Sequence, residues 1–152
     1  RYLDPQYMLG DSLLAAPVFS EDGRAEFYLP EGRWTDYFSG KVREGGKWYA
    51  DTCDYMTLPL YVRENALLPI GDTDDRPDYD YEKNLTVTWY CPKDGAQAEC
   101  RVVNQSGGNA GRIRAERSGS SITAVTEGNL ENLAFRVLDD TGTAYDIKLT
   151  GK

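Results

Sequence analysis

Short apolar-rich runs of strand length recur along this chain, some alternating with polar positions, as Ala25–Leu29 does, and others apolar throughout, as Leu13–Phe19 is. Alternation over about four to eight residues sends side chains to the two faces of a sheet in turn. The runs are Leu13–Phe19, Ala25–Leu29, Trp34–Phe38, Met56–Val62, Ala66–Ile70, Leu85–Tyr90, Ala98–Val103, Arg112–Glu116, Ser121–Val125, Leu133–Leu138 and Tyr145–Leu149. They are rich in β-branched and aromatic residues, which suit a pleated, half-buried surface. Between them fall Glu21-Asp-Gly23, Glu31-Gly32, Gly45-Gly46, Lys93-Asp-Gly95 and Thr141-Gly142, which carry turn chemistry. Asp4-Pro5 followed by Gly10 predicts one helical turn, with Asp as cap, Pro at the first position and Gly at the end. Beyond it, helix signals nearly vanish. Strands at this spacing without intervening helices predict an all-β fold of two tandem antiparallel β-sandwich domains.

The two halves differ in charge. Residues 1–83 hold 17 acids and 9 bases, a net of −8, while residues 84–152 hold 8 of each. Fourteen of the 18 aromatic residues also precede residue 84. The change comes at Asp72-Thr-Asp-Asp-Arg-Pro-Asp-Tyr-Asp-Tyr-Glu82, which is polar, holds Pro77 and lacks apolar alternation. It predicts a solvated linker over residues 73–82. The overall charge of −8 argues against a nucleic-acid groove, because phosphate contacts need clustered Lys and Arg. It suits a soluble protein acting on neutral substrates such as sugars. No apolar stretch approaches the ~20 residues of a membrane helix. The first ten residues lack the basic start and apolar run of a signal peptide. Opening on Arg1 rather than Met, the chain is expected to be part of a longer polypeptide.

Several constellations bear on chemistry. Gly10-Asp11-Ser12-Leu13 spells the motif of the GDSL esterases, but the chain has no histidine to take the serine proton, so it predicts a loop leading into a strand. Asp72, Asp74, Asp75, Asp78 and Asp80 do not follow the calcium-loop spacing, and no metal site is assigned to them. No pair among the 25 acids stands out as a glycosidase pair. Trp34, Tyr37, Trp48 and Tyr49 admit two readings, a sugar-stacking platform or a sandwich core with an interface. Trp34 and Trp48 are the substrate-binding candidates. Asn84-Leu-Thr86 and Asn104-Gln-Ser106 are sequons that matter only in a secretory pathway. Cys53, Cys91 and Cys100 form an odd set that fits small, partly buried hydrophobes, with a Cys91–Cys100 hairpin disulfide as the alternative. Reduced thiols predict a cytoplasmic protein.

Three ordered motifs carry a family resemblance. Arg1-Tyr-Leu-Asp-Pro-Gln-Tyr-Met-Leu-Gly-Asp-Ser-Leu-Leu-Ala-Ala-Pro-Val-Phe19 resembles the segment leaving the catalytic barrel of glycoside hydrolase family 31, departing once, at Ala15. Phe27-Tyr-Leu-Pro-Glu-Gly-Arg-Trp-Thr-Asp-Tyr37 resembles the family's Tyr-Leu-Pro-x-Gly-x-Trp hairpin. Leu58-Pro-Leu-Tyr-Val-Arg-Glu-Asn-Ala-Leu-Leu-Pro69 resembles its Leu-Pro-x-aromatic-Val-Arg stretch. Tyr7-Met-Leu-Gly-Asp-Ser12 and Arg76-Pro-Asp-Tyr79 look closest to the bacterial α-xylosidase branch. The resemblance implies a barrel exit turn over residues 1–10, a proximal C-terminal β-sandwich over 11–72 and a distal one over 83–152. It implies a retaining α-glycosidase, an α-xylosidase or α-glucosidase, whose two catalytic Asp residues sit on a (β/α)8 barrel preceding Arg1. No catalytic residue, metal or cofactor then falls to this chain. Its partners are that barrel, in the same polypeptide, and the carbohydrate substrate of the parent. The expected role is to brace the barrel through an exposed apolar patch at Tyr7, Met8, Phe19 and Tyr28. The competing expectation is an independent carbohydrate-binding module.

Overall fold

The computed structural model describes residues 6–151, and every helix or strand within them is a β-strand. Two units divide between Glu64 and Asn65. The first holds β1 (Tyr7–Leu9), β2 (Leu13–Ala15), β3 (Arg24–Leu29), β4 (Arg33–Asp36), β5 (Val42–Glu44), β6 (Lys47–Thr52) and β7 (Leu60–Arg63). The second holds β8 (Leu67–Ile70), β9 (Thr86–Tyr90), β10 (Gln97–Val103), β11 (Asn109–Ser118), β12 (Ser121–Gly128), β13 (Ala134–Leu138) and β14 (Asp146–Gly151).

In the first unit a five-stranded sheet, ordered β1-β2-β7-β4-β5, faces the β3-β6 ribbon, and all pairs are antiparallel. The two layers close on Leu14, Trp34 and Tyr61 from the sheet and on Phe27 and Leu29 from the ribbon, all almost fully buried. Each contributes roughly 1.5–3 kcal/mol by leaving water. Trp34 also donates its indole N–H to the Pro30 carbonyl at 2.8 Å, so its one polar atom is satisfied in the core.

The second unit packs a four-stranded sheet, β10-β11-β12-β14, on a three-stranded one, β13-β9-β8. Val87, Trp89 and Leu67 from the smaller sheet meet Val102, Ile113, Ala115 and Ile122 from the larger. Here the antiparallel expectation needs correction, because β9–β13 and β12–β14 are parallel. Parallel neighbours cannot be joined by a hairpin. The chain between β9 and β13 runs through three strands of the opposite sheet, and that between β12 and β14 runs through β13.

Other expectations shift at element ends. Arg1–Pro5 lie outside the described residues, but Tyr7–Leu9 form a strand rather than part of a helical turn. They pair with Leu13–Ala15 around a Gly10-Asp11-Ser12 loop, with Gly10 at a φ of 62°. β7 begins at Leu60 rather than Met56, because the Asp54 carboxylate accepts from the Met56 amide and the Thr57 hydroxyl and holds a turn there. β5 and β6 have no clean apolar alternation in sequence. Their inward positions include Asp51, which accepts from Arg43 and from the Tyr61 hydroxyl, each at 3.0 Å.

The stretch expected as a linker belongs to the second unit. β8 pairs with β9, so Ala66–Ile70 join the second unit's sheet and not the first's. Tyr79 O accepts from Gln105 Nε2 at 2.7 Å, Tyr81 Oη donates to Pro77 O at 2.7 Å, and Lys83 pairs with Asp80 at 3.1 Å.

Candidate functional site

The aromatic candidates separate by face. Trp34 is fully buried, which removes it as a sugar platform, and Tyr49 stacks inward on Phe27 with centroids 6.0 Å apart. Trp48, one residue away on β6, points the other way and is 65% exposed. It tilts against Tyr28 at 5.7 Å, its direct partner across the β3–β6 ladder. The period of two in a strand makes this division. Tyr37 is half-buried, edge-on to the exposed Phe38 at 5.5 Å.

Beside this pair the chain is pinned. Gln6 donates its side-chain amide to Tyr28 O at 2.8 Å and accepts from Tyr28 N at 2.6 Å. The amide thus satisfies the free edge of β3 as a neighbouring strand would. Tyr7, Met8 and Leu9 follow at once, all exposed. Among the described residues, nine of the eleven exposed large apolar side chains lie in the first unit. They include Phe19, between β2 and β3, and Tyr55 and Met56, between β6 and β7. Met56 is 86% exposed, yet its backbone is fixed by the Asp54 turn. Hydrogen bonds from Thr57 and Met56 hold the Asp54 carboxyl below its usual range. A cleft of about 510 Å³ runs past this turn, lined by Pro17, Val18, Asp22, Cys53, Tyr55 and Leu58. The surface therefore presents large apolar groups on short, hydrogen-bonded loops, the arrangement of an interface rather than of a catalytic pocket.

The remaining candidates take structural places. Ser12 sits in the β1–β2 hairpin loop. No cluster of metal-ligating side chains occurs among the described residues, the Asp72–Asp80 stretch included. Asn104 accepts from the Ser106 hydroxyl and the Gly108 amide and so builds its own turn. All three cysteines are free, so the Cys91–Cys100 bridge does not form, and burial pushes the Cys100 thiol up to about 12. Arg43, Asp51 and Tyr49, half-buried, form with the fully buried Tyr61 a group that sequence reasoning missed. The Arg43 guanidinium lies 4.8 Å over Tyr49 and 5.5 Å from Tyr61. Burial pushes the Tyr61 phenol well above its ordinary value, so it donates to Asp51 as a neutral hydroxyl. A charged residue alternating with Tyr49 on a strand is a faint signal of such a group.

Residues 1–68 match the sequence profile of the glycosyl hydrolase family 31 C-terminal domain, and residues 80–148 match that of the C-terminal domain of the alpha-xylosidase YicI. The chain is a C-terminal region of glycoside hydrolase family 31. Alpha-xylosidase XylQ of Lactiplantibacillus pentosus is 35% identical over 126 residues, covering 81% of this chain and 16% of the relative. An alpha-xylosidase of Emericella nidulans is 44% identical over 84 residues, covering 50% of this chain and 11% of the relative. The solved cycloalternan-forming enzyme from Listeria monocytogenes superposes with a TM-score of 0.62 at 30% identity, over 78% of this chain and 12% of that one. The chain thus spans 16% or less of the length of these relatives. They include a fungal protein, so the family features are wider than the bacterial branch. Within the family, this chain corresponds to the C-terminal domains and not to the catalytic barrel.

Proposed function

We propose that this chain is the non-catalytic scaffold of a retaining α-xylosidase or α-glucosidase, and that its first unit braces the catalytic barrel of the same polypeptide. The observation that carries this is the concentration of exposed apolar side chains on one unit, at Tyr7, Met8, Leu9, Phe19, Trp48, Tyr55 and Met56. Monomeric surfaces scatter such groups singly, and gathered ones mark interfaces. Gln6 is held at Tyr28, the cross-strand partner of Trp48. A barrel tethered there is held at high effective concentration against this surface, so modest contacts suffice. The α-xylosidase relatives support the xylosidase alternative, and both the two catalytic carboxylates and the substrate pocket belong to the barrel in this reading. The three free cysteines fit a bacterial cytoplasmic setting.

The test uses the full-length polypeptide. Met8→Asp with Tyr55→Asp places two charges on the surface without touching the buried core. Melting of the barrel, followed by loss of 4-nitrophenyl α-xyloside or α-glucoside hydrolysis, should then shift down by several degrees, roughly what 1–2 kcal/mol produces. The first unit's own unfolding should be unchanged. An unaltered barrel melting curve contradicts the bracing role.

A further inference from the structure

The second unit contains a cleft that its own packing leaves open. It measures about 340 Å³ and is lined by Pro69, Pro77, Tyr79, Tyr81, Arg101 and Val103, among others. That is the small end of the size range of ligand clefts, with room for one ring-shaped ligand. We propose that it is a surface site for one ring of a neutral oligosaccharide, a reading that rests on the chain's place in a sugar-active polypeptide.

Four features support it. Tyr79 and Tyr81 meet edge to face, centroids 4.8 Å apart and planes at 71°, giving the cleft two aromatic walls. Aromatic faces present apolar area with a polar tip, which suits the C–H faces and hydroxyls of a pyranose. The walls are also preorganised. Gln105 holds the Tyr79 carbonyl, Tyr81 Oη donates to Pro77 O, and Tyr79 lies so close over Gly71 that a Cβ there would come within 2.5–2.8 Å of its phenol. Rigid walls reduce the ordering cost of binding.

Arg101 supplies donors. Its charge acts on Glu99, with which its neighbours Arg112 and Arg114 form ion pairs. Arg101 also stands directly opposite Arg112 in the β10–β11 ladder, an unfavourable like-charge pair. Arg101 lines the cleft, and its guanidinium carries five N–H groups that can serve hydroxyl oxygens. Finally, the β10–β11 register breaks between Val102 and Val103, where Ala110 is the extra residue on β11. Such bulges re-aim side chains beside sites, and Val103 is turned out to 51% exposure at the cleft.

Charge selects the ligand class. The stretch from Asp72 to Lys83 carries six acids against Arg76 and Lys83. Its negative field opposes an anionic ligand and leaves a neutral polyhydroxyl one unaffected.

The experiment is a titration of the full 152-residue chain, followed by amide NMR shifts, with xylose, glucose, a xyloglucan heptasaccharide and glucuronate. Saturable shifts are expected at residues 79–81 and 101–103 with the neutral sugars. Tyr81→Ala and Arg101→Gln should each weaken binding about tenfold. Tyr81→Phe keeps the ring and should retain most of it, guarding against loss through misfolding. Three results overturn the proposal: no saturable shift with any neutral sugar, binding that survives both weakening substitutions, or tighter binding of glucuronate than of glucose. Shifts at Tyr28 and Trp48 instead, abolished by Trp48→Ala, also overturn it by moving the site to the first unit. The first three outcomes leave barrel bracing untouched, and the melting of the full-length polypeptide reads bracing separately from all four.

Discussion

Replacing Gly45 with Ala should unfold the first unit preferentially. An added Cβ would lie 1.7 Å from Pro30 O and 2.9 Å from Gly32 O, whereas real Cβ contacts essentially never fall below 3.0 Å. The atoms in the way are backbone of the β3–β4 turn, which cannot swing aside as a side chain can. The β5–β6 turn must therefore lift away from it. That movement strains two hydrogen bonds, Gly45 N to Gly32 O and Gly46 N to Leu29 O, each 2.7 Å. Losing both costs about 2 kcal/mol, and residual overpacking adds about 1–3 kcal/mol, for roughly 3–5 kcal/mol in all. A domain is stable by only ~5–15 kcal/mol, so the loss is large. Urea unfolding read by tryptophan fluorescence separates the units, since Trp34 and Trp48 belong to the first and Trp89 to the second. The first unit's midpoint should fall by at least about 1 M, with the second unit's unmoved. Gly108→Ala, whose new Cβ meets only the Asn104 side chain at 3.2 Å, serves as the mild control. A first-unit midpoint shifted by less than about 0.3 M would refute the argument.

Trp34→Ala should destabilise the first unit by about 3–5 kcal/mol, and Trp48→Ala by less than about 1 kcal/mol, although the two share a unit and a side-chain type. Equal losses in calorimetry would contradict the division between core and surface. At Asp139 burial opposes ionisation, but hydrogen bonds from Tyr145 and Thr141 outweigh it and hold the carboxyl below its usual range. Because the folded pKa is depressed, its stabilisation is present above the unfolded value near 3.9 and is lost as pH falls through the folded pKa. Asp139→Asn should therefore flatten the acid dependence of second-unit unfolding from about pH 5 downward, through and below the unfolded value, and an unchanged slope there counts against it. Cys100, with its thiol pushed up to about 12, should resist a thiol reagent at pH 8 until the second unit unfolds. Labelling in the native chain at the rate of a free thiol excludes that.

Much of the fold was legible because alternation is a local property. Ala25-Glu-Phe-Tyr-Leu29 and Leu85–Tyr90 read as strands from their own residues, and the structure has strands at both places. The family motifs were also contiguous, which is why Phe27–Tyr37 and Leu58–Pro69 pointed to the C-terminal domains before any packing was known. β6 stayed hidden because its inward Asp51 looks like a surface residue until Arg43 and Tyr61 arrive from other strands. The acidic stretch misled for a related reason. Its charges argued for a solvated linker, while Tyr79 anchors it through Gln105, a partner distant in sequence.

The amino-acid order alone determined an all-β chain of two units, its family, and the lack of a histidine-dependent triad, since these depend on composition and short-range pattern. Only the tertiary structure decided which of Trp34 and Trp48 meets water. One residue of register on β6 carries Tyr49 inward and Trp48 outward, and strand pairing sets that register. The parallel pairs β9–β13 and β12–β14 likewise depended on sheet crossings that no local pattern encodes. The Tyr79–Tyr81 cleft needed both, a short aromatic repeat in the sequence and a distant bulged strand end to close against it.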